Sequence, residues 1–448
     1  MKRVEVPLGM ATMKLSLLAL LGLFASCADA RKAWALLFTG AKGFQNYASH
    51  SALCNAYHTL HRSGIPKERI VVIMYDNVVD DFDNPYPGEL FNNYSKVDVY
   101  RDTPLDYTGS EVSADLILAT LRGDKELVRN LTGREGKVIE SGPEDNIFVA
   151  AITHGLPGML KMPYGLMRAS KLIKTLQDMH DNKQYAKLVF YLDSCASGSV
   201  FKNLPEDINV FAMSASRANE PAYKNYCEHP EFIYACLGSQ FTNGWVENME
   251  SVNIRSTTFL DQAKILKEVV NMSDPQVFGN ISILKDSLHQ FFGGNSEPMP
   301  QQLADVSSQG NSPKDVVPSH LMPMLLLQRQ VRKYPSNRRL RVKLSHLENT
   351  TREVDRFFYY AAKIGDPDAR SRTLSKILSA PAEDILNWHC YEAAAQMIFD
   401  TCPGFNRAEI EAYAMFKFSV LVNLCNRVTV AQVLRGVKAA FELTSVCG

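Results

Sequence analysis

The chain has 448 residues, of which 46% are hydrophobic and 21% charged, so it can bury a full core. With 48 basic and 48 acidic residues it is neutral overall, which removes any global electrostatic argument for nucleic acid. It is long for one ordinary domain and fits two, at roughly 100–200 residues each.

Lys2, Arg3 and Lys14 precede an apolar run from Leu15 to Ala25, and Ala28-Asp29-Ala30 is a small-x-small cleavage site. This pattern reads as a secretory signal peptide over residues 1–30, with a mature chain from Arg31 onward. The run is too short to cross a bilayer, which takes about 20 apolar residues, and no later segment is apolar enough to do so. The expected locations are therefore lysosome or vacuole, or the extracellular space.

Strand and helix signals alternate through the first half. Ala33 to Thr39 and Ile70 to Tyr75 are continuous apolar runs without polar alternation, as for strands buried on both faces. Between them Ser51 to Arg62 reads as a helix ended by Gly64 and Pro66. Asp76 to Ser110 is a loop rich in Asp, Asn, Pro and Gly, and Ala114 to Leu121 is helical. Further strands are Ile147 to Ile152, Leu188 to Leu192 and Val210 to Met213, with Leu166 to Met179 at helical spacing among them. Such alternation predicts an α/β fold, a mostly parallel sheet with helices on both faces.

Residues 31–292 are thus expected to form the α/β domain and 293–319 a linker without periodicity, rich in Gly, Ser, Gln, Asn and Pro. Residues 320–448 read as a separate all-helical domain. The stretch 31–319 carries a net −7 and 320–448 a net +6, an asymmetry that suggests mutual docking.

Sequons at Asn93, Asn130, Asn271, Asn280 and Asn349 are candidate glycosylation sites and suit the secretory route. Cys390, Cys402, Cys425 and Cys447 crowd the last sixty residues and read as two disulfides of undetermined connectivity. No CxxC pair supports zinc, so no metal or other cofactor is expected. Cys227 and Cys236 can close a short loop, which leaves Cys54 and Cys195 without obvious partners.

Two strands end in chemically loaded turns: Thr153-His154-Gly155 follows one and Asp193-Ser194-Cys195-Ala196-Ser197-Gly198-Ser199 the other. Sites in open α/β sheets form beyond the carboxyl ends of the strands, so both turns point at one crevice. A thiol needs a nearby imidazole or a helix N-terminus to become a reactive thiolate. Small residues after Cys195 can open a helix there, and the Gly155 and Cys195 backbone N–H groups are candidates for an oxyanion hole.

At these residues the chain resembles the legumains, asparaginyl endopeptidases of the caspase-like cysteine peptidase class. The ordered set carrying the likeness includes Gly64-Ile65-Pro66, Asp106-Tyr107-Thr108-Gly109, Ser141-Gly142-Pro143, His154-Gly155, Leu188-Val189-Phe190-Tyr191, Ser197-Gly198-Ser199 and Leu421-Val422-Asn423-Leu424-Cys425. The resemblance implies a caspase-like six-stranded sheet, a Cys195–His154 dyad acting on peptide or protein substrates, and Asn46 as the residue orienting His154. It also implies disulfides Cys390–Cys425 and Cys402–Cys447 in a C-terminal helical prodomain, which acts as an intramolecular inhibitor until acidification.

The match is uneven. The family's Arg-His pair two residues after the Asn46 position reads Ala48-Ser49 here, its Glu before the nucleophile reads Asp193, and its pocket Asp reads Ser239. The serine pair before Tyr223 reads Pro221-Ala222, and the Asp before the histidine reads Thr153. Asp193, Ser49 and Ser239 are thus the expected substrate-binding residues of a larger, less cationic pocket, with altered preference for asparagine. The leading reading is a cysteine endopeptidase zymogen with a ligase or transpeptidase side activity. The alternative is a weak or inactive relative kept as a binding or inhibitory glycoprotein, for which Arg122-Gly123-Asp124 would suit integrin contact if exposed.

Overall fold

A computed structural model describes residues 32–228, 231–232, 235–293, 315–382 and 384–447. The expected signal peptide and most of the expected linker, residues 294–314, lie outside these residues. Among them, no helix is long and apolar enough to cross a membrane.

The sheet is built from β1 (Ala33–Phe38), β2 (Ile70–Ile73), β3 (Asn146–Ile152), β7 (Lys187–Asp193), β8 (Val210–Ser214) and β11 (Gln276–Gly279), once the short strands are numbered in chain order. Their spatial order is β11-β8-β7-β3-β1-β2, and only β11 runs antiparallel to its neighbour. Every residue of β3 and β8 is buried, which is why these strands read as unbroken apolar runs. Period-two alternation divides their side chains between two cores: Ala35 and Leu37 of β1 face one, Leu36 and Phe38 the other. Helices α1 (Tyr47–Ser63), α4 (Gln240–Ser251) and α5 (Phe259–Val269) cover the first face, and α2 (Ala114–Leu121) and α3 (Ala169–Asp181) the second.

Three details depart from the sequence reading. Helix α1 begins four residues earlier than its apolar spacing indicates, with Asn46 at its N-cap. Leu166 belongs to a hairpin rather than to α3: β4 (Gly155–Leu156), β5 (Met159–Lys161) and β6 (Leu166–Arg168) form a small antiparallel sheet. After Cys195 the helix starts only at Gly198 and is four residues long, because Ala196 sits at φ +52°.

Beyond residue 315 the chain forms β12 (Val317–Pro318), α6 (Met322–Lys333), α7 (Arg338–Gly365), α8 (Ser371–Ser379), α9 (Trp388–Thr401), α10 (Glu411–Phe416), α11 (Ser419–Cys425) and α12 (Val430–Leu443). These helices share a core around Phe357, Phe358, Phe405 and Phe418, into which Leu156 and Met159 of the hairpin also pack. Disulfides join Cys390 to Cys425 and Cys402 to Cys447, and Cys227 to Cys236 in the α/β layer. The packing of Leu156 and Met159 into that core seats the helical layer on the sheet layer.

Where α7 and α12 cross, Gly436 lies against backbone. A Cβ there would stand 2.2 Å from the Ala361 carbonyl oxygen and 2.8 Å from the Gly365 nitrogen. Neither atom can yield without moving its helix. Gly436→Val should therefore cost about 1–3 kcal/mol of stability, read as a lower denaturation midpoint with unchanged far-UV circular dichroism; an unchanged midpoint would mean that the helices can separate freely there.

Candidate active site

The site assembles at the carboxyl ends of β1, β3 and β7. Strands β3 and β7 are in register, with Ile152 opposite Asp193, and the Thr153 N–H still donates to the Asp193 carbonyl at 3.1 Å. His154 and Cys195 are each two residues past that paired position, on strands about 4.8 Å apart. The two predicted residues thus leave the sheet side by side. Cys195 and His154 are buried at 4% and 5% exposure, and Cys195 and Cys54 are the free thiols among the described cysteines.

Asn46 completes the group. Its Nδ2 donates to the Lys42 carbonyl at 2.8 Å and to Glu411 Oε1 at 2.9 Å, so its Oδ1 is left as an acceptor. His154 Nε2 lies 2.7 Å from that oxygen and must therefore carry the proton. In the neutral ring Nδ1 is then bare and basic. Asn46 fixes the tautomer.

Gly155 has a steric reason to be glycine: a Cβ there would stand 2.1 Å from the Cys195 carbonyl oxygen. Its N–H is also uncommitted to the hairpin. The Lys161 N–H donates to the His154 carbonyl at 2.8 Å, so Gly155 and Leu160 form the alternate, non-hydrogen-bonded pair of that ladder. The Cys195 Sγ itself accepts from the Ala222 N–H at 3.4 Å.

Burial dominates the electrostatics. It pushes the Cys195 thiol up to about 11 against the lowering effects of the Ala222 N–H and the Lys224 charge. It pulls His154 down to about 3, helped by the charges of Lys224 and Lys161. In this closed form the pair is a neutral thiol beside a neutral imidazole.

The predicted pocket residues Asp193, Ser49 and Ser239 do come together, but the space vacated by the large side chains is occupied. Lys224, on β9 (Tyr223–Asn225), is buried and directs Nζ to Ser239 Oγ at 3.0 Å and Ser49 Oγ at 3.4 Å. The expectation of a less cationic pocket is corrected on this point, because a cation has entered from a different strand. Asp193 Oδ2 accepts from Ser239 Oγ at 2.7 Å and from the Thr242 N–H and hydroxyl at 3.1 and 2.7 Å.

The helical layer closes over this region. Glu411 of α10 is buried, with Oε1 also 3.5 Å from His154 Nε2. Burial raises its carboxyl to about 7, opposed by Lys161 and Lys42. Lys161 is itself buried, with Nζ 5.6 Å from the centre of the Phe399 ring. Residues 315–319 run along β9: Val317 pairs with Lys224 and Pro318 with Tyr223, and the Ser319 N–H donates to the Ala222 carbonyl at 2.9 Å. A cavity of about 370 Å³ remains between the layers, lined by Gly155 and Ala196 on one side and by Pro381 and Phe416 on the other.

Charge complementarity does not explain this seating. Lys343–Asp83, at 3.3 Å, has the polarity that the net charges suggest. Arg168–Glu392 and Lys202–Asp384, at 3.6 and 2.5 Å, have the reverse. Of the candidate glycosylation sites, Asn130, Asn271 and Asn349 are exposed and Asn93 and Asn280 half-buried. Arg122 is ion-paired with Asp124 at 2.9 Å, and Asp124 caps the following helix, so this tripeptide is folded onto itself rather than presented. Glu411 and Lys224 escaped the sequence reading. Nothing in their local patterns sets them apart from surface charges.

Residues 33–300 match the model of the peptidase C13 family. Legumain of Rattus norvegicus is 31% identical over 405 residues, covering 89% of this chain and 90% of its own length. Human legumain is 32% identical over 409 residues with the same coverage. The vacuolar-processing enzyme of Vicia sativa is 32% identical over 422 residues, covering 88% of this chain and 82% of its own. With the family model spanning more than half of the sequence, the chain belongs to the peptidase C13 family of cysteine-type endopeptidases.

Proposed function

We propose that the protein is a latent zymogen whose peptidase chemistry runs through Cys195 and His154. The observation that carries this reading is the register of β3 and β7, which sets both residues two positions beyond the Ile152–Asp193 pair. In the open enzyme, His154 Nδ1 takes the Cys195 proton as Sγ attacks the scissile carbonyl carbon. The N–H groups of Gly155 and Cys195 receive the developing oxyanion. His154 then protonates the departing amine, and a thioester remains on Cys195. Water releases the acid product; an amine that outcompetes water at the same carbon gives ligation instead. The tautomer held by Asn46 serves every proton step.

Cys195→Ala and His154→Ala should each lose at least about 10³-fold in kcat/KM with unchanged thermal stability, since the two groups act as one unit. If either variant keeps more than about a tenth of the activity, the roles assigned here are wrong. A binding or inhibitory role, the second reading, would leave cleavage absent in the wild type as well.

The helical layer is the proposed inhibitor. Residues 315–319 occupy the edge of β9 as an extended peptide would, and Glu411 sits on the Asn46–His154 pair. Acid opens it, and the sign follows from three groups. In the closed form burial holds His154 near 3, with the charges of Lys224 and Lys161 adding to it, and holds His320, stacked on Phe416, near 4, both below their ordinary 6.5. Closure stability from these two is intact above about pH 6.5 and is lost as pH falls toward those values. Glu411, raised from 4.5 to about 7, works the other way, since protonating it favours closure. Between about pH 6.5 and 4.5 the closed form thus binds up to two protons fewer and one more, so opening takes up at most about one net proton and is favoured by at most about 1.4 kcal/mol per pH unit. This arrangement suits a secreted protein that matures in an acidic compartment.

Glu411→Gln removes the opposing group. It should tighten latency at neutral pH and steepen the opening toward two protons, measured as the slope of Cys195 alkylation by iodoacetamide against pH in the full-length chain. A slope no steeper than wild type would remove Glu411 from the switch.

A further inference from the structure

The segment 315–319 places one charged side chain in a cradle built by the α/β layer. Asp315 is 3% exposed. One of its oxygens, Oδ1, accepts from the Tyr94 hydroxyl at 2.6 Å, the Cys227 N–H at 2.6 Å and the Glu228 N–H at 2.8 Å. Two of these donors are successive backbone groups. They converge because Tyr226 holds φ at +55°, in the left-handed region that a bulky side chain seldom adopts. Consecutive N–H groups in such a turn form a concavity for anions. Residues outside the segment keep the turn in place. The Tyr226 hydroxyl donates to Glu247 Oε1 at 3.0 Å, its ring meets Tyr94 edge-on at 5.0 Å, and Cys227 is bonded to Cys236. Backbone strain of this kind persists where its surroundings impose it, and it clusters at ligand clamps. The donors thus belong to the α/β layer, and Asp315 is their occupant in the closed form.

We propose that this cradle is a substrate subsite for an aspartate side chain lying four residues before the residue whose carbonyl Cys195 attacks. The inference rests on the peptidase reading and on the register of the segment. The Ser319 N–H donates to the Ala222 carbonyl, and the Ala222 N–H contacts the Cys195 sulfur, so Ser319 marks the place nearest the thiol. Counting back along the antiparallel pairing, Val317 stands at Lys224. The Cys227 N–H then reaches the Asp315 carbonyl as well as its carboxylate. An extended peptide that replaces the segment in this register carries its side chain four places upstream into the same three donors. Hydrogen bonds to an ionised acceptor are the strong ones, and a lysine there would meet donors alone. The wider field opposes an acid, since the stretch 31–319 carries a net −7. Burial disfavours the ionised Asp315, the Glu228 charge adds to that, and the three donors oppose both. A preference for aspartate at this one position therefore reports the cradle and not the field.

The test uses the full-length chain at about pH 5, where a solvated aspartate is ionised. A peptide that the wild type cleaves is remade with Asp or Asn four residues before the cleaved position, and with the Asp moved one residue to either side. Asp at the fourth place should exceed Asn by roughly 10-fold in kcat/KM, the worth of one charged hydrogen bond, and the displaced Asp should lose that gain. Tyr94→Phe removes one of the three donors and should cut the Asp-to-Asn ratio by roughly 3-fold or more. The ratio is indifferent to how readily the segment 315–319 leaves, which the same variant also changes. Equal rates for Asp and Asn, a gain from Asp at every position, or an unchanged ratio in Tyr94→Phe would each overturn the subsite. A readout independent of turnover uses the acetylated pentapeptide Asp-Val-Val-Pro-Ser, the sequence of Asp315–Ser319, and its Asn-Val-Val-Pro-Ser counterpart. The Asp form should protect Cys195 from iodoacetamide better than the Asn form, with a smaller difference in Tyr94→Phe and with Cys195→Ala as the labelling control. Such protection in a chain that cleaves no peptide would keep the cradle as a binding site and sink the peptidase reading. Equal protection by the two pentapeptides would refute the cradle itself.

Discussion

The hydrogen-bonded register between the two central parallel strands is the constraint on which the site depends. Ile152 faces Asp193, and the ladder extends one more bond to Thr153 before the strands part. A slip of one residue would turn every side chain to the opposite core, and with both faces packed by helices no such slip is tolerable. Thiol and imidazole are therefore positioned by the burial of aliphatic side chains far from either. Asn46 belongs to the same scheme, since its place at the N-cap of α1 is set by a helix packed against β1.

Around this frame the protein buries a set of charges that is close to balanced. The charges of Lys224 and Asp193 act on the thiol, and Lys161 acts on the imidazole that Glu411 approaches. An isolated buried charge costs several kcal/mol, so each cation implies an anion within reach. The two sets differ in origin. Asp193 and Lys224 both belong to the α/β layer, and their balance persists when the layers separate. Glu411 arrives with the helical layer, so seating that layer changes the charge and the solvation of His154 together.

Much of this was legible in the sequence. Continuous apolar runs marked the buried strands, and the turns after β3 and β7 marked the crevice, because a two-sided sheet leaves no other place for His154 and Cys195. The edge strand β11 was not, since Gln276–Gly279 is short and half-buried with no run to betray it. The last strand of the hairpin β4–β6 hid because Leu166 continues the helical spacing of α3. Lys224 and Glu411 were illegible for a deeper reason: a lysine between Tyr223 and Asn225, or a glutamate at the start of α10, looks solvated until tertiary packing removes the water.

Net charge illustrates the same point at a larger scale. The −7 and +6 of the two parts suggested docking, and the layers do meet, but two of the three surface ion pairs described across them have the opposite polarity. Exposed pairs of this kind contribute little each. What holds the layers is apolar contact around Leu156 and Met159 and the strand pairing of residues 317–318 with β9. A seat of that kind is insensitive to ionic strength, because its charges are buried. It is sensitive to pH through groups whose water is stripped on closing, among them His154, His320 and Glu411. The pH response of the protein is thus set by which ionisable side chains lie under the helical layer rather than by the sum of charges on either part.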